Sequence, residues 1–341
     1  VASAVPFLMR SGVSFRRGVG FRVTSPGMSQ IASETRFLHL GDRVIMPLVG
    51  SQAQGLWGSL FLIIPAASRS VDGTALENGS SKEERVVIEP RKGRRERPIP
   101  AGVIVGFTSS DLAVLRSALR IPGRDFRRLD FARLWACSPP WEGVALAGPA
   151  LGAPAAVVLL ERLIALGARW ILSVGSCGSL SPEAPIGTVV VPTHARCEEG
   201  TSQHYRAPWV RMAPDSKLLD SLRLALRREG VTVREGGVWT TDAPFRETLE
   251  KIRSYSAEGD LVVDMETSAL WTVASFRRTS LATALVVSDE LWTLKWRKGF
   301  SDPRFRKGLG CAARAAASAL GDRVQGSGPG RRDSGAFGYD P

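Results

Sequence analysis

The sequence predicts an α/β domain with a mainly parallel central sheet. Three observations predict it: short β-branched apolar runs, helical patterns between them, and glycines where the runs end. Apolar runs without polar alternation are strands buried on both faces, as parallel sheets require. Strands alternating with helices then make one sheet covered by helices. The chain of 341 residues, 44% hydrophobic and 23% charged, has globular composition and room for a large core.

The elements follow in order from about residue 84 to 322. Gly102–Gly106 reads as a buried strand. Ser109 and Ser110 offer N-caps for a helix over Asp111–Leu119. Val144–Ala147 is the second strand. Pro154 suits the first turn of the helix that runs to Leu166, where its missing N–H is unpaired anyway, and Gly167 ends it. That helix is apolar almost all round, which predicts deep burial. Trp170–Val174 is a strand followed by Gly175-Ser176-Cys177-Gly178, and Thr188–Val191 is another. Asp215–Arg228 is an amphipathic helix stopped by Gly230. Strands follow at Val231–Thr241 and Leu261–Val263, then a helix over Asp264–Phe276 and a last strand over Leu281–Ser288.

The two ends differ from this middle. Residues 1–83 read as an irregular N-terminal extension. Their first 33 residues hold no acid and carry Arg10, Arg16, Arg17 and Arg22, a composition like a transit peptide. The alternative is an over-extended start, with Met28 or Val71 as the true first residue, and this is the preferred reading. Residues 323–341, rich in Gly, Ser, Pro and Arg, read as a disordered tail.

Several function classes are excluded at this level. Four cysteines without CxxC spacing and three histidines without HExxH argue against disulfide scaffolds and metal sites, and suit reduced thiols in the cytoplasm. The apolar stretch 56–67 is too short for a membrane span, which needs about 20 residues. The net charge of +12 is spread over several arginine-rich runs and reads as solvated faces, not as a nucleic-acid surface.

Ligands of open α/β sheets bind beyond the carboxyl ends of the strands. Gly175 and Ser176 follow one strand and offer close backbone approach and a hydroxyl to an anion. The loop Gly148–Pro154 runs into a helix N-terminus, also favourable to an anion. Asp264-Met265-Glu266 and Ser288-Asp289-Glu290 follow two further strands. Each could merely cap a helix. Two strands bringing carboxylates to one sheet edge instead suggests a site that holds sugar hydroxyls and donates a proton.

Six stretches in one order resemble the nucleoside phosphorylase superfamily. They are 174–180 (VGSCGSL), 186–192 (IGTVVVP), 198–205 (EEGTSQHY), 239–246 (WTTDAPFR), 263–269 (VDMETSA) and 286–291 (VVSDEL). EGTS and TTD are most similar to uridine phosphorylases. Ser288-Asp289 resembles purine nucleoside phosphorylases and the related methylthioadenosine/S-adenosylhomocysteine nucleosidases. The resemblance implies a three-layer αβα fold, a dimer or hexamer, and cleavage of a nucleoside N-glycosidic bond. Phosphate is the implied co-substrate, and no metal or organic cofactor is implied. Met265 and Glu266 would hold the ribose, and Asp289 would protonate the base. Gly175 and Ser176 would hold phosphate, and Thr241, Asp242, Phe245 and Arg246 would lie near the base.

Two positions depart from the phosphorylase pattern. Ser173 stands where these enzymes carry an arginine, and residues 107–111 (FTSSD) replace their arginine-bearing loop. Arg196 or a neighbouring subunit would have to supply the missing cation. Asp111 falls where the nucleosidases place a water-activating glutamate. Phosphorolysis is the first reading, hydrolysis through Asp111 the second, and a non-catalytic nucleoside-binding protein the third.

Overall fold

The computed structural model describes residues 38–40, 43–48, 60–65, 86–205 and 212–326. The chain divides into two units, Val1–Arg85 and Val86–Pro341. In the first, strands β1 (Leu38–Leu40), β2 (Arg43–Leu48) and β3 (Leu60–Pro65) form an antiparallel three-stranded sheet, where the sequence reads as irregular. The arginine-rich first 33 residues, both alternative starts and residues 327–341 of the expected tail lie outside the described residues.

The second unit is built on a ten-stranded mixed sheet. Its strands are β4 (Gly102–Val105), β5 (Arg127–Leu129), β6 (Ala132–Ala136), β7 (Val144–Gly148), β8 (Trp170–Ser179), β9 (Val189–Glu198), β10 (Val233–Thr241), β11 (Asp260–Asp264), β12 (Ser280–Glu290) and β13 (Arg297–Lys298). Parallel pairing joins β7, β4, β8 and β12, and separately β9, β10 and β11. Antiparallel joints β11–β8 and β12–β9 connect the two sets. The five strands β8, β12, β9, β10 and β11 therefore close into a ring, and β4, β7, β6 and β5 extend from it.

Helices cover both faces, giving the αβα layers. On one side α1 (Ser109–Ala118), α3 (Ser216–Arg228) and α6 (Pro303–Gly326) bury Leu115, Leu222 and Leu309 against the sheet. On the other, α2 (Ala153–Ala165) and α5 (Thr267–Phe276) bury Leu160, Leu163 and Trp271. Helix α4 (Leu249–Ala257) lies against β11. Among the described residues no helix is long and apolar enough to cross a membrane.

Strands β5, β6 and β13 and helix α4 were not expected from the sequence, and three expected features differ. Thr108, not Ser109 or Ser110, caps α1, its hydroxyl accepting from the Asp111 amide at 3.0 Å. Strand β8 continues through Gly175–Ser179, so the presumed loop is paired backbone. The 24-residue helix α6 follows the last expected strand and runs past residue 322. Its glycines argue against a helix, yet a Cβ at Gly308 would stand 2.7 Å from Val286 Cγ1 and 2.8 Å from the Gly187 carbonyl. Glycine there lets the helix lie directly on the sheet, which outweighs its low helix propensity.

Candidate active site

A cavity of about 340 Å³ opens where β8, β11 and β12 end. Its polar lining includes Thr108, Ser176, Asp264, Glu266, Ser288 and Asp289, joined by Glu247. Among the described residues, no lysine, arginine or histidine lines it. Met265 and Val263 form part of the wall, and the large side chains Leu151, Phe245, Trp296 and Phe300 stand exposed at its rim.

Glu266 is the N-cap residue of α5 and only 3% exposed. Its Oε1 accepts from the Gly152 amide at 2.6 Å. Gly152 has φ +84°, a conformation that favours glycine, and is the N-cap of α2. The acceptor at this helix N-terminus is thus the protein's own carboxyl group. Asp264 sits beside it and accepts from Thr267 N (2.9 Å), Thr267 Oγ1 (2.6 Å) and Thr240 Oγ1 (2.7 Å). Burial raises the Asp264 carboxyl against the pull of these donors. Burial first, and the charge of Asp264 second, push Glu266 up to about 8.

Asp289 is aimed by a bulge. The register of β12 on β8 skips a residue between Val287 and Asp289, so Ser288 is the extra residue. Such bulges re-aim side chains beside active sites. Asp289 accepts from Ser288 Oγ at 2.6 Å and from Trp296 Nε1 at 2.8 Å. Burial raises its carboxyl, and these two donors oppose the rise. Glu247, half-buried just after the turn Pro244–Arg246, is pushed up to about 7, by burial first and then by the charge of Asp289. The sequence reading missed it, because a glutamate after Ala-Pro-Phe-Arg looks like a surface turn residue.

The structure therefore brings Ser176, Phe245, Met265, Glu266 and Asp289 to one cavity. The other expected residues stand elsewhere. Gly175 faces the Phe107 ring, whose Cδ2 lies 2.4 Å from where a Cβ would be. The Thr241 hydroxyl accepts from the Ala243 amide, Asp242 accepts from the Gly200 amide at 2.8 Å, and Arg246 is exposed. None of these four lines the cavity. Asp111, 3% exposed, lines an adjoining cavity of about 790 Å³ that shares Thr108, Ser176 and Phe300 with the first. Its Oδ2 accepts from Ser176 Oγ at 3.2 Å, and burial raises its carboxyl.

The expected substitute cation is engaged. Arg196 pairs with Asp260 (2.5 Å) and Glu258 (2.7 Å) and lies over the Tyr255 ring. Ser173 is fully buried and bonded to Thr283 at 2.8 Å. The EGTS stretch is a structural clasp. Glu199 accepts from Thr201 N (2.6 Å), Ser202 N (3.0 Å) and Ser268 Oγ (2.9 Å), which ties this loop to α5.

Comparison with known proteins gives a consistent answer. A purine nucleoside phosphorylase DeoD-type of Bacillus cereus (strain B4264) is 29% identical over 153 residues, 44% of this chain. That match spans 65% of the relative's own length. The purine nucleoside phosphorylase of Toxoplasma gondii, solved with immucillin-H, superposes with a TM-score of 0.60 at 20% identity, over 71% of this chain and 99% of that one. A uridine phosphorylase of Vibrio fischeri ES114 gives 0.58 at 22% identity, over 65% and 92%. The family profile described as phosphorylase superfamily matches residues 103–309, more than half of the chain, and the chain belongs to that superfamily.

Proposed function

We propose that the chain cleaves the N-glycosidic bond of a nucleoside. One observation carries this reading: Glu266 and Asp289, delivered by the two strands that flank the end of β8, line one cavity. An ionised Glu266 would accept from the ribose 2′- and 3′-hydroxyls, and such charge-assisted bonds strengthen as the sugar becomes cationic. Met265 would pack against the sugar and Phe245 against the base. A protonated Asp289 would give its proton to a ring nitrogen, N7 in a purine, as the C–N electron pair leaves with the base.

Water is the nucleophile that these surroundings favour. Among the described residues, a phosphate dianion would meet four carboxyl groups in the cavity and no cation. Ser176 gives its hydroxyl proton to Asp111 and so turns lone pairs outward, toward a donor such as water. Asp111 would take one proton from the water as its oxygen bonds to the anomeric carbon. Phosphorolysis keeps one specific support: the adjoining cavity, which shares Ser176, is lined by Arg306 and Lys307.

Incubation with a nucleoside panel in phosphate-free buffer, with identification of the sugar product, separates these outcomes. Free ribose, lost in Asp111→Ala, supports hydrolysis. Ribose 1-phosphate formed only with phosphate supports phosphorolysis. No cleavage of any nucleoside would leave a binding protein.

A further inference from the structure

Glu247 is unlike the other acids of the cavity. Asp289 is held on both oxygens, Asp264 accepts from Thr240 and Thr267, and Glu266 is bound by Gly152. The Glu247 carboxyl lines the same space and has no hydrogen-bond or ion-pair partner among the described residues. It shares the base end of the cavity with Phe245, two residues earlier, and with Asp289. A half-buried carboxyl without a partner is poorly solvated and available to a ligand.

We propose that Glu247 reads the leaving base and selects one that presents an amino group over one that presents a carbonyl oxygen at that edge. The proposal rests on the nucleoside-cleavage reading for its substrate. An ionised carboxylate has only acceptor sites, so an exocyclic N–H₂ bonds to it, while a carbonyl oxygen sets lone pair against lone pair. A hydrogen bond to a charged group contributes roughly 1.5–3 kcal/mol, or a tenfold to hundredfold preference.

The selection depends on pH in a definite direction. The groups around Glu247 are Asp289 on β12, Asp264 and Glu266 at the end of β11, and the exposed Arg246 beside it in the chain. Burial and the charge of Asp289 place its ionisation at about 7. Above that pH the carboxylate accepts only. Below it the protonated acid donates to a carbonyl, and the preference relaxes.

The test measures kcat/KM for adenosine and inosine between pH 6 and 8, with calorimetric binding of adenine and hypoxanthine in parallel. In the wild type the amino-to-oxo ratio should rise roughly tenfold or more toward pH 8. In Glu247→Gln, whose amide offers both donor and acceptor at every pH, the ratio should be flat. Cleavage with a pH-independent ratio overturns the role of Glu247 and leaves the cleavage reading intact. Selective, pH-dependent binding of adenine without turnover upholds Glu247 and overturns cleavage. Neither turnover nor base binding overturns both.

Discussion

The indole N–H of Trp296 donates to Asp289 Oδ2 at 2.8 Å, across the hairpin formed by β12 and β13. A donor to the ionised form lowers a carboxyl's pKa, so this bond works against the burial that raises it. With the proposed acid role, Asp289→Asn should lower purine nucleoside cleavage by roughly 10²–10⁴-fold and spare substrates with activated leaving groups. Trp296→Phe should keep Asp289 protonated to higher pH and move the alkaline limb of the rate profile up by about one pH unit. Rate profiles that superimpose for wild type and Trp296→Phe would show that the bond does not tune the acid.

Glu266→Gln keeps the shape of the side chain and removes its charge. Turnover should fall on the order of 100-fold, the scale of losing one preorganised electrostatic group. Undiminished activity in Glu266→Gln would remove Glu266 from the ribose.

The same carboxyls set a pH dependence of stability. Glu266 and Glu247 are raised from 4.5 to about 8 and about 7, so between these values the folded state holds protons that the unfolded chain has released. Stability then falls as pH rises across that window. Glu96 and Asp302, lowered to about 2, act only below it. One pH unit of displacement is about 1.4 kcal/mol, so Tm should be roughly 5 °C or more higher at pH 5 than at pH 8. Glu266→Gln, neutral throughout, should narrow the gap. Thermal unfolding followed by circular dichroism decides it, and a Tm that climbs with pH would contradict the assignment.

Gly175→Ala tests close packing behind the cavity. A Cβ there would meet the ring of Phe107, which is buried and lines the cavity. Overpacking of this kind costs about 1–3 kcal/mol. The denaturant midpoint should fall, and an unchanged midpoint would mean that the ring moves aside freely.

The sheet and the paired acids were legible because each acid follows an apolar, β-branched run that is buried in the structure. Leu261–Val263 leads to Glu266, and Leu281–Val287 leads to Asp289. Less legible was anything decided by tertiary contact. Helix α6 is set by its fit on Val286 and Gly187 despite its glycines. The continuation of β8 through two glycines depends on neighbours that pair with them, β12 along its length and β11 at Gly178. Glu247 gained significance only when folding placed it beside Asp289. Thr241, Asp242 and Arg246 were named from their motif, and the fold turns Thr241 to the Ala243 amide, Asp242 to the distant Gly200 amide and Arg246 to solvent.

The ring of five strands has a mechanical consequence. Val263 pairs with Gly178, and Asp289 pairs with the same Gly178 from the other side. The span between Glu266 and Asp289 is thereby gauged by backbone pairing across a single glycine, as in a caliper with a fixed jaw. Changes in the surrounding loops can alter which base or sugar is accepted. On the proposed nucleoside-cleavage reading they cannot readily alter how far the scissile bond lies from either acid, and substrates of different reach would be excluded by the sheet itself.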